Sequence, residues 1–67
     1  MFSGQVRAAL HRLPLEQHQI LLLAYYGGYT HREISELVKV PLGTVKSRMY
    51  LGVKRLRILL RPLLTAL

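Results

Sequence analysis

Apolar positions recur at helical spacing in four blocks along the chain, each bounded by a residue that stops or starts a helix. The first, "SGQVRAALHRLP", places Val6, Ala9, Leu10 and Leu13 on one side of a helix over about residues 3–12. Ser3 suits its N-cap and Pro14 punctuates it. The second, "LEQHQILLLAYYGG", predicts a helix over about 15–27, with Leu15, Leu22, Leu23 and Tyr26 inward and Gly27-Gly28 as the stop. Residues 20–26 are nearly all apolar, so this helix is expected to lie against more than one neighbour.

The third block, "YTHREISELVK", predicts a short helix over about 30–38. Thr30 and Glu33 have the T-x-x-E spacing of a capping box, in which each side chain satisfies a free backbone N–H of the first turn. Tyr29 and Ile34 have the spacing of a hydrophobic staple, and Ile34, Leu37 and Val38 form an inward stripe. "VPLG" ends the helix, and Pro41 suits the first position of a fourth helix over about 41–60. Projected at about 100° per residue, Val45, Met49, Gly52, Val53, Leu56, Leu59 and Leu60 gather toward the core. Lys46, Ser47, Arg48, Tyr50, Lys54, Arg55 and Arg57 spread over the other side. Leu51 and Ile58 also fall there, one heptad apart, and a simple solvated face does not explain them.

Two short helices joined by a tight turn, the second basic and exposed at its N-terminal end, make a helix-turn-helix over about 30–57. The expected fold is all-α: one four-helix domain over residues 1–67, winged-helix-like without the wing. With 67 residues the chain buries only about 60% of its unfolded surface, so its stability is expected to be marginal. It contains no cysteine, which rules out disulfides and thiolate metal ligands.

Charge sharpens the picture. The formal net charge is +7, and residues 44–67 hold six cations and no acid. Residues 1–29 sum to +1 and residues 30–43 to zero. Such asymmetry points to nucleic acid or an anionic membrane surface. Lys46 and Arg48 lie near the N-terminal end of their helix, where the backbone dipole is already positive and favours anions by about 0.3–1 kcal/mol each. They make sense if an anion arrives from outside, and a DNA backbone supplies one.

Other chemistry finds no footing. His11, His18 and His31 share no close metal-ligand spacing. Ser47 has no organised base or oxyanion motif, and neither G-x-S-x-G nor a phosphate loop occurs. The reading is a non-enzyme with no cofactor, no metal and no small-molecule substrate. No apolar run approaches the roughly 20 residues of a membrane span, and the N-terminus lacks a secretion-signal layout. A cytoplasmic protein without direct membrane insertion is expected.

"LPLEQHQILLLAYYGGYTHREISELVKVPLGTVKSRMYLGVKRLR", from about Leu13 to Arg57 and about two-thirds of the chain, resembles the fourth conserved region of bacterial sigma factors of the extracytoplasmic-function group. Its most specific piece is "PLGTVKSR" after "THREIS-LV"; the leading "LP" and the "YYGGYT" bend also fit. The resemblance implies recognition of the promoter −35 element as double-stranded DNA, docking on the RNA polymerase β-subunit flap, and sequestration by an anti-sigma factor. The family's base-reading and phosphate-contacting positions then fall on Thr44, Lys46, Ser47, Arg48, Tyr50 and Leu51. The phosphate-contacting start of the preceding helix falls on Thr30, His31 and Arg32. Lys54 and Arg55, with Arg57, fit either non-specific phosphate contact or simple solvation.

Three positions depart from the pattern. Ser35 stands where many helix-turn-helix sequences carry Ala, a small swap. Lys39 stands where the turn often has Gly, at a strain of about 1 kcal/mol if the position is left-handed. Leu51 stands where the group often has Arg. An Arg there reads guanine bidentately, whereas Leu offers only apolar contact such as a thymine methyl, so the −35 specificity is expected to differ. Only one sigma region is present, so the chain is expected to be a fragment of a longer factor beginning at an introduced Met1.

The C-terminal "ILLRPLLTAL" holds more apolar residues than so small a domain can bury, and Pro62 is expected to bend or end the helix. Leu51, Ile58, Leu63, Leu64 and Leu67 are therefore candidates for a partner surface, with a frayed tail as the other reading of the end. Three alternatives remain at this level: the effector domain of a response regulator, which shares the "E-I-S-x-L … G-T-V-K" layout; a module acting mainly through protein capture; and a basic amphipathic membrane-surface segment. The capping box and structured turn argue against the last.

Overall fold

The computed structural model describes residues 4–61. They form four helices in the expected order: α1 (Gly4–His11), α2 (Leu15–Tyr25), α3 (His31–Val38) and α4 (Leu42–Leu59). Among the described residues there is no strand, and the domain is all-α. The expected Ser3 cap, the bend at Pro62 and the tail positions Leu63, Leu64 and Leu67 lie outside the described residues.

Helix α4 is the spine, packed most extensively on α2, then on α3 and α1. One apolar cluster joins Leu10, Leu13 and Leu21 to Val53, Leu56 and Leu59. A second joins Ile20, Ile34 and Val45 to Leu23, Val38 and Val40, and Met49 packs against both. Gly52 allows α4 to approach α2 closely: a Cβ there would lie 3.0 Å from Leu21 Cδ1.

The inward face of α2 is not the one its spacing predicts. Ile20 and Leu21 are fully buried, whereas Leu15 is 75% exposed and Tyr26 39%. Because α2 is apolar around most of its circumference, spacing carries no phase, and burial is decided by where α3 and α4 lie. The two neighbours implied by its apolar run are present, since Ile20 enters one cluster and Leu21 the other. Leu37, expected in the stripe of α3, is 52% exposed; Ile34 is fully buried and Val38 packs beside it. A helix this short meets the core along a stripe too narrow for Leu37.

The ends of α3 fix the helix-turn-helix. Thr30 is the N-cap rather than part of the helix. The Glu33 N–H donates to Thr30 Oγ1 at 3.1 Å, and the Thr30 N–H donates to Glu33 Oε1 at 2.8 Å, so the capping box forms as the spacing predicts. Tyr29 folds back over Gly27 and stays partly exposed. At the other end Lys39 is left-handed, with φ 59° and ψ 48°. The N–H groups of Lys39 and Val40 both donate to the Ser35 carbonyl, a Schellman-type ending.

Pro41 does not occupy the first position of α4. With φ −58° and ψ 150° it is the N-cap, because the ring fixes φ but leaves ψ extended. Its carbonyl accepts the N–H groups of Thr44 and Val45 at 3.0 and 3.1 Å.

Candidate nucleic-acid interface

The two N-termini of the helix-turn-helix are finished differently. That of α3 is closed by the capping box, while that of α4 has no side-chain cap and no acid in its first turn. The first N–H groups of a helix lack the usual partner four residues back, and with those of Thr44 and Val45 taken by the Pro41 carbonyl, the Leu42 and Gly43 N–H groups of α4 are left for solvent or an external acceptor. Lys46, Ser47 and Tyr50 are exposed in the turns that follow, and Thr44 and Arg48 are half-buried. At the start of α3, Thr30 and Arg32 are exposed and His31 is half-buried. Thr30 Oγ1 spends one lone pair on the cap, and its O–H hydrogen remains available to a phosphate oxygen.

Tyr50 and Leu51 are adjacent in sequence but part company in space. Tyr50 is 65% exposed and stands beside Met49, Val53 and Arg57 on one flank of α4. Leu51 and Arg55 turn to the other flank, where they form one wall of a groove together with Lys54 and Ile58, which border both flanks. The opposite wall is Arg12, Pro14 and Gln17, from the corner between α1 and α2. The DNA candidates thus spread over more than one flank of α4, and Leu51, Lys54 and Arg55 share surface with Ile58.

Sequence reasoning missed Arg12 and Gln17. Nothing local marks them; only the fold brings the α1–α2 corner against α4. It also brings His11 and His18 together, edge to face with ring centroids 5.0 Å apart. Among the described residues, no group of three or more metal-ligating side chains occurs.

Comparison with known proteins agrees with this geometry. Residues 3–56 match the family model described as sigma-70, region 4. The ECF RNA polymerase sigma factor RpoE of Cereibacter sphaeroides is 45% identical over 55 residues, covering 82% of this chain and 30% of that protein. The ECF RNA polymerase sigma factor SigK of Mycobacterium ulcerans is 46% identical over 41 residues, 61% of this chain and 22% of the relative. SigK of Mycobacterium tuberculosis is 42% identical over 53 residues, 79% of this chain and 28% of the relative. The chain therefore spans less than a third of the length of the curated relatives it matches. A match across most of its residues, on the four helices and the helix-turn-helix they build, places the chain in the sigma-70 region 4 family.

Proposed function

We propose that this domain binds the promoter −35 element as double-stranded DNA, as part of a sigma factor that directs RNA polymerase to initiate transcription in the cytoplasm. The observation that carries the reading is the uncapped, acid-free start of α4, with Lys46, Ser47 and Tyr50 exposed beside it on a helix-turn-helix of the sigma-70 region 4 family. Phosphates contacted by Thr30, His31, Arg32, Lys46 and Arg48 orient the domain, and Thr44, Ser47, Tyr50 and Leu51 meet base edges in the major groove. Docking on the polymerase β-subunit flap and sequestration by an anti-sigma factor complete the proposal, with Leu51, Ile58 and tail positions Leu63, Leu64 and Leu67 as partner-facing residues. The family match favours this reading over the response-regulator layout.

The test is selection from a random duplex library at low salt, followed by anisotropy on the enriched sequence. One short asymmetric motif, bound more weakly by the Arg48→Ala variant and read differently at one base position by Ser47→Ala, supports the reading. Enrichment of a two-fold symmetric site, or equal affinity for every duplex, counts against it.

A further inference from the structure

We infer that Arg12, on the corner between α1 and α2, joins Lys54 and Arg55 of α4 in a further DNA phosphate contact, set apart from those at the starts of α3 and α4. The inference rests on the promoter-binding reading above and adds to it a residue from outside the helix-turn-helix. The corner that carries Arg12 is held firmly. The Arg12 N–H donates to the Ala9 carbonyl at 3.0 Å and the Leu13 N–H to the Leu10 carbonyl at 3.1 Å. Leu13 is buried in the apolar cluster that reaches Val53 and Leu56 of α4, and Pro14 follows with its φ fixed by the ring. Arg12 is thereby set across the groove from Lys54 and Arg55.

All three cations are exposed, and among the described residues no acid lines the groove. Like charges gathered from two separate elements repel one another, and an anion from outside relieves that repulsion. The position on α4 identifies the anion. A helix is about 10–12 Å across with its side chains and the major groove about 12 Å wide, so a helix seated there has phosphates along its flanks. Leu51 meets base edges in the reading above, and Arg55 stands four residues further, about 6 Å along the axis, on the same side. The backbone bordering the major groove at that level is within the province of both Arg55 and Arg12. Such a contact positions the domain and carries no sequence information. Arg12 also lies just past the C-terminal end of α1, where the helix dipole favours a cation. That effect acts on stability alone, so the salt dependence of DNA binding separates the two roles.

The experiment is anisotropy titration of the full chain over a salt series, on the selected duplex and on a scrambled one, with Arg12→Gln, Arg12→Lys and Arg7→Gln. Arg7 is exposed on α1 and lines a different hollow with His11 and His18, so its replacement removes the same charge away from the groove. Arg12→Gln should reduce the slope of log affinity against log salt by about 0.9 on both duplexes, with sequence preference unchanged. Arg12→Lys and Arg7→Gln should keep the slope of the parent chain. Circular dichroism reports whether each variant is folded. Equal losses in Arg12→Gln and Arg7→Gln overturn the inference, because net charge then explains both. A loss in Arg12→Lys as large as in Arg12→Gln overturns it too, since the charge is kept there. An unchanged slope in Arg12→Gln beside a reduced one in Lys46→Ala removes Arg12 from the interface and leaves the promoter-binding reading standing. Failure of the parent chain to bind any duplex overturns both.

Discussion

The Ser35 hydroxyl donates a 2.6 Å hydrogen bond to the carbonyl oxygen of Val40, tying the last turn of α3 to the residue before the cap of α4. The Ser35 carbonyl also accepts the N–H groups of Lys39 and Val40, so one residue holds the turn from both its side chain and its backbone. The turn needs holding because Lys39 is left-handed without being glycine.

Ser35→Ala should therefore destabilise the domain by about 0.5–1.5 kcal/mol, the usual net value of such a hydrogen bond. Lys39→Gly should act in the opposite direction, by up to about 1 kcal/mol, since relief of the left-handed strain is partly offset by glycine's greater chain entropy. Urea unfolding followed by circular dichroism measures both. A neutral Ser35→Ala means that the two backbone hydrogen bonds hold the turn unaided.

The same turn shows where sequence reasoning stops. T-x-x-E at 30–33 was legible because a capping box is local, with both partners within one turn. Ser35 looked like a minor swap for Ala because its acceptor is a carbonyl that comes within reach only after the chain bends at Lys39. The faces of α4 were legible from alternating character, down to the exposure of Leu51 and Ile58. Those of α2 were not, because a helix apolar on nearly every side gives Leu15 and Leu21 the same credentials, and only α3 and α4 decide which is covered. The groove wall formed by Arg12 and Gln17 is a tertiary fact without a local signal.

The close contact of α2 with α4 makes a sharp packing prediction at Gly52. A Cβ there would meet Leu21 Cδ1 at 3.0 Å and Gln17 Cβ at 3.4 Å, and Leu21 is fully buried. Gly52→Val should cost about 1–3 kcal/mol through overpacking, measured as a lower urea midpoint at unchanged slope. Gly43→Ala, which meets nothing within 4 Å, should instead leave stability unchanged or raise it by up to about 1 kcal/mol.

Thr30 separates folding from phosphate contact. Its oxygen caps α3 while its hydroxyl hydrogen remains free to donate outward. Thr30→Ala should lower stability by about 1 kcal/mol. Thr30→Asp keeps an N-cap acceptor and a favourable dipole interaction, so stability should be retained. The new carboxylate should nevertheless weaken binding to any duplex at low salt, by repelling phosphate and losing the donor. If Thr30→Asp binds as well as the parent chain, Thr30 is a cap only and the start of α3 does not face the backbone.

Salt dependence tests the interface as a whole. With roughly 4–6 phosphates neutralised, log affinity should fall against log salt with a slope of about −4 to −5. Lys46→Ala and Arg32→Ala, both exposed, should each reduce that slope by about 0.9 while lowering affinity for all duplexes alike. Ser47→Ala should leave the slope unchanged and alter preference at a single base position, because a hydroxyl at a base edge carries sequence information and no charge. Anisotropy titrations over a salt series, on the selected site and on a scrambled duplex, give all these quantities together. A slope that stays fixed in both Lys46→Ala and Arg32→Ala would remove the start of the two helices from the DNA interface and leave the basic C-terminal half of α4 as its only charge.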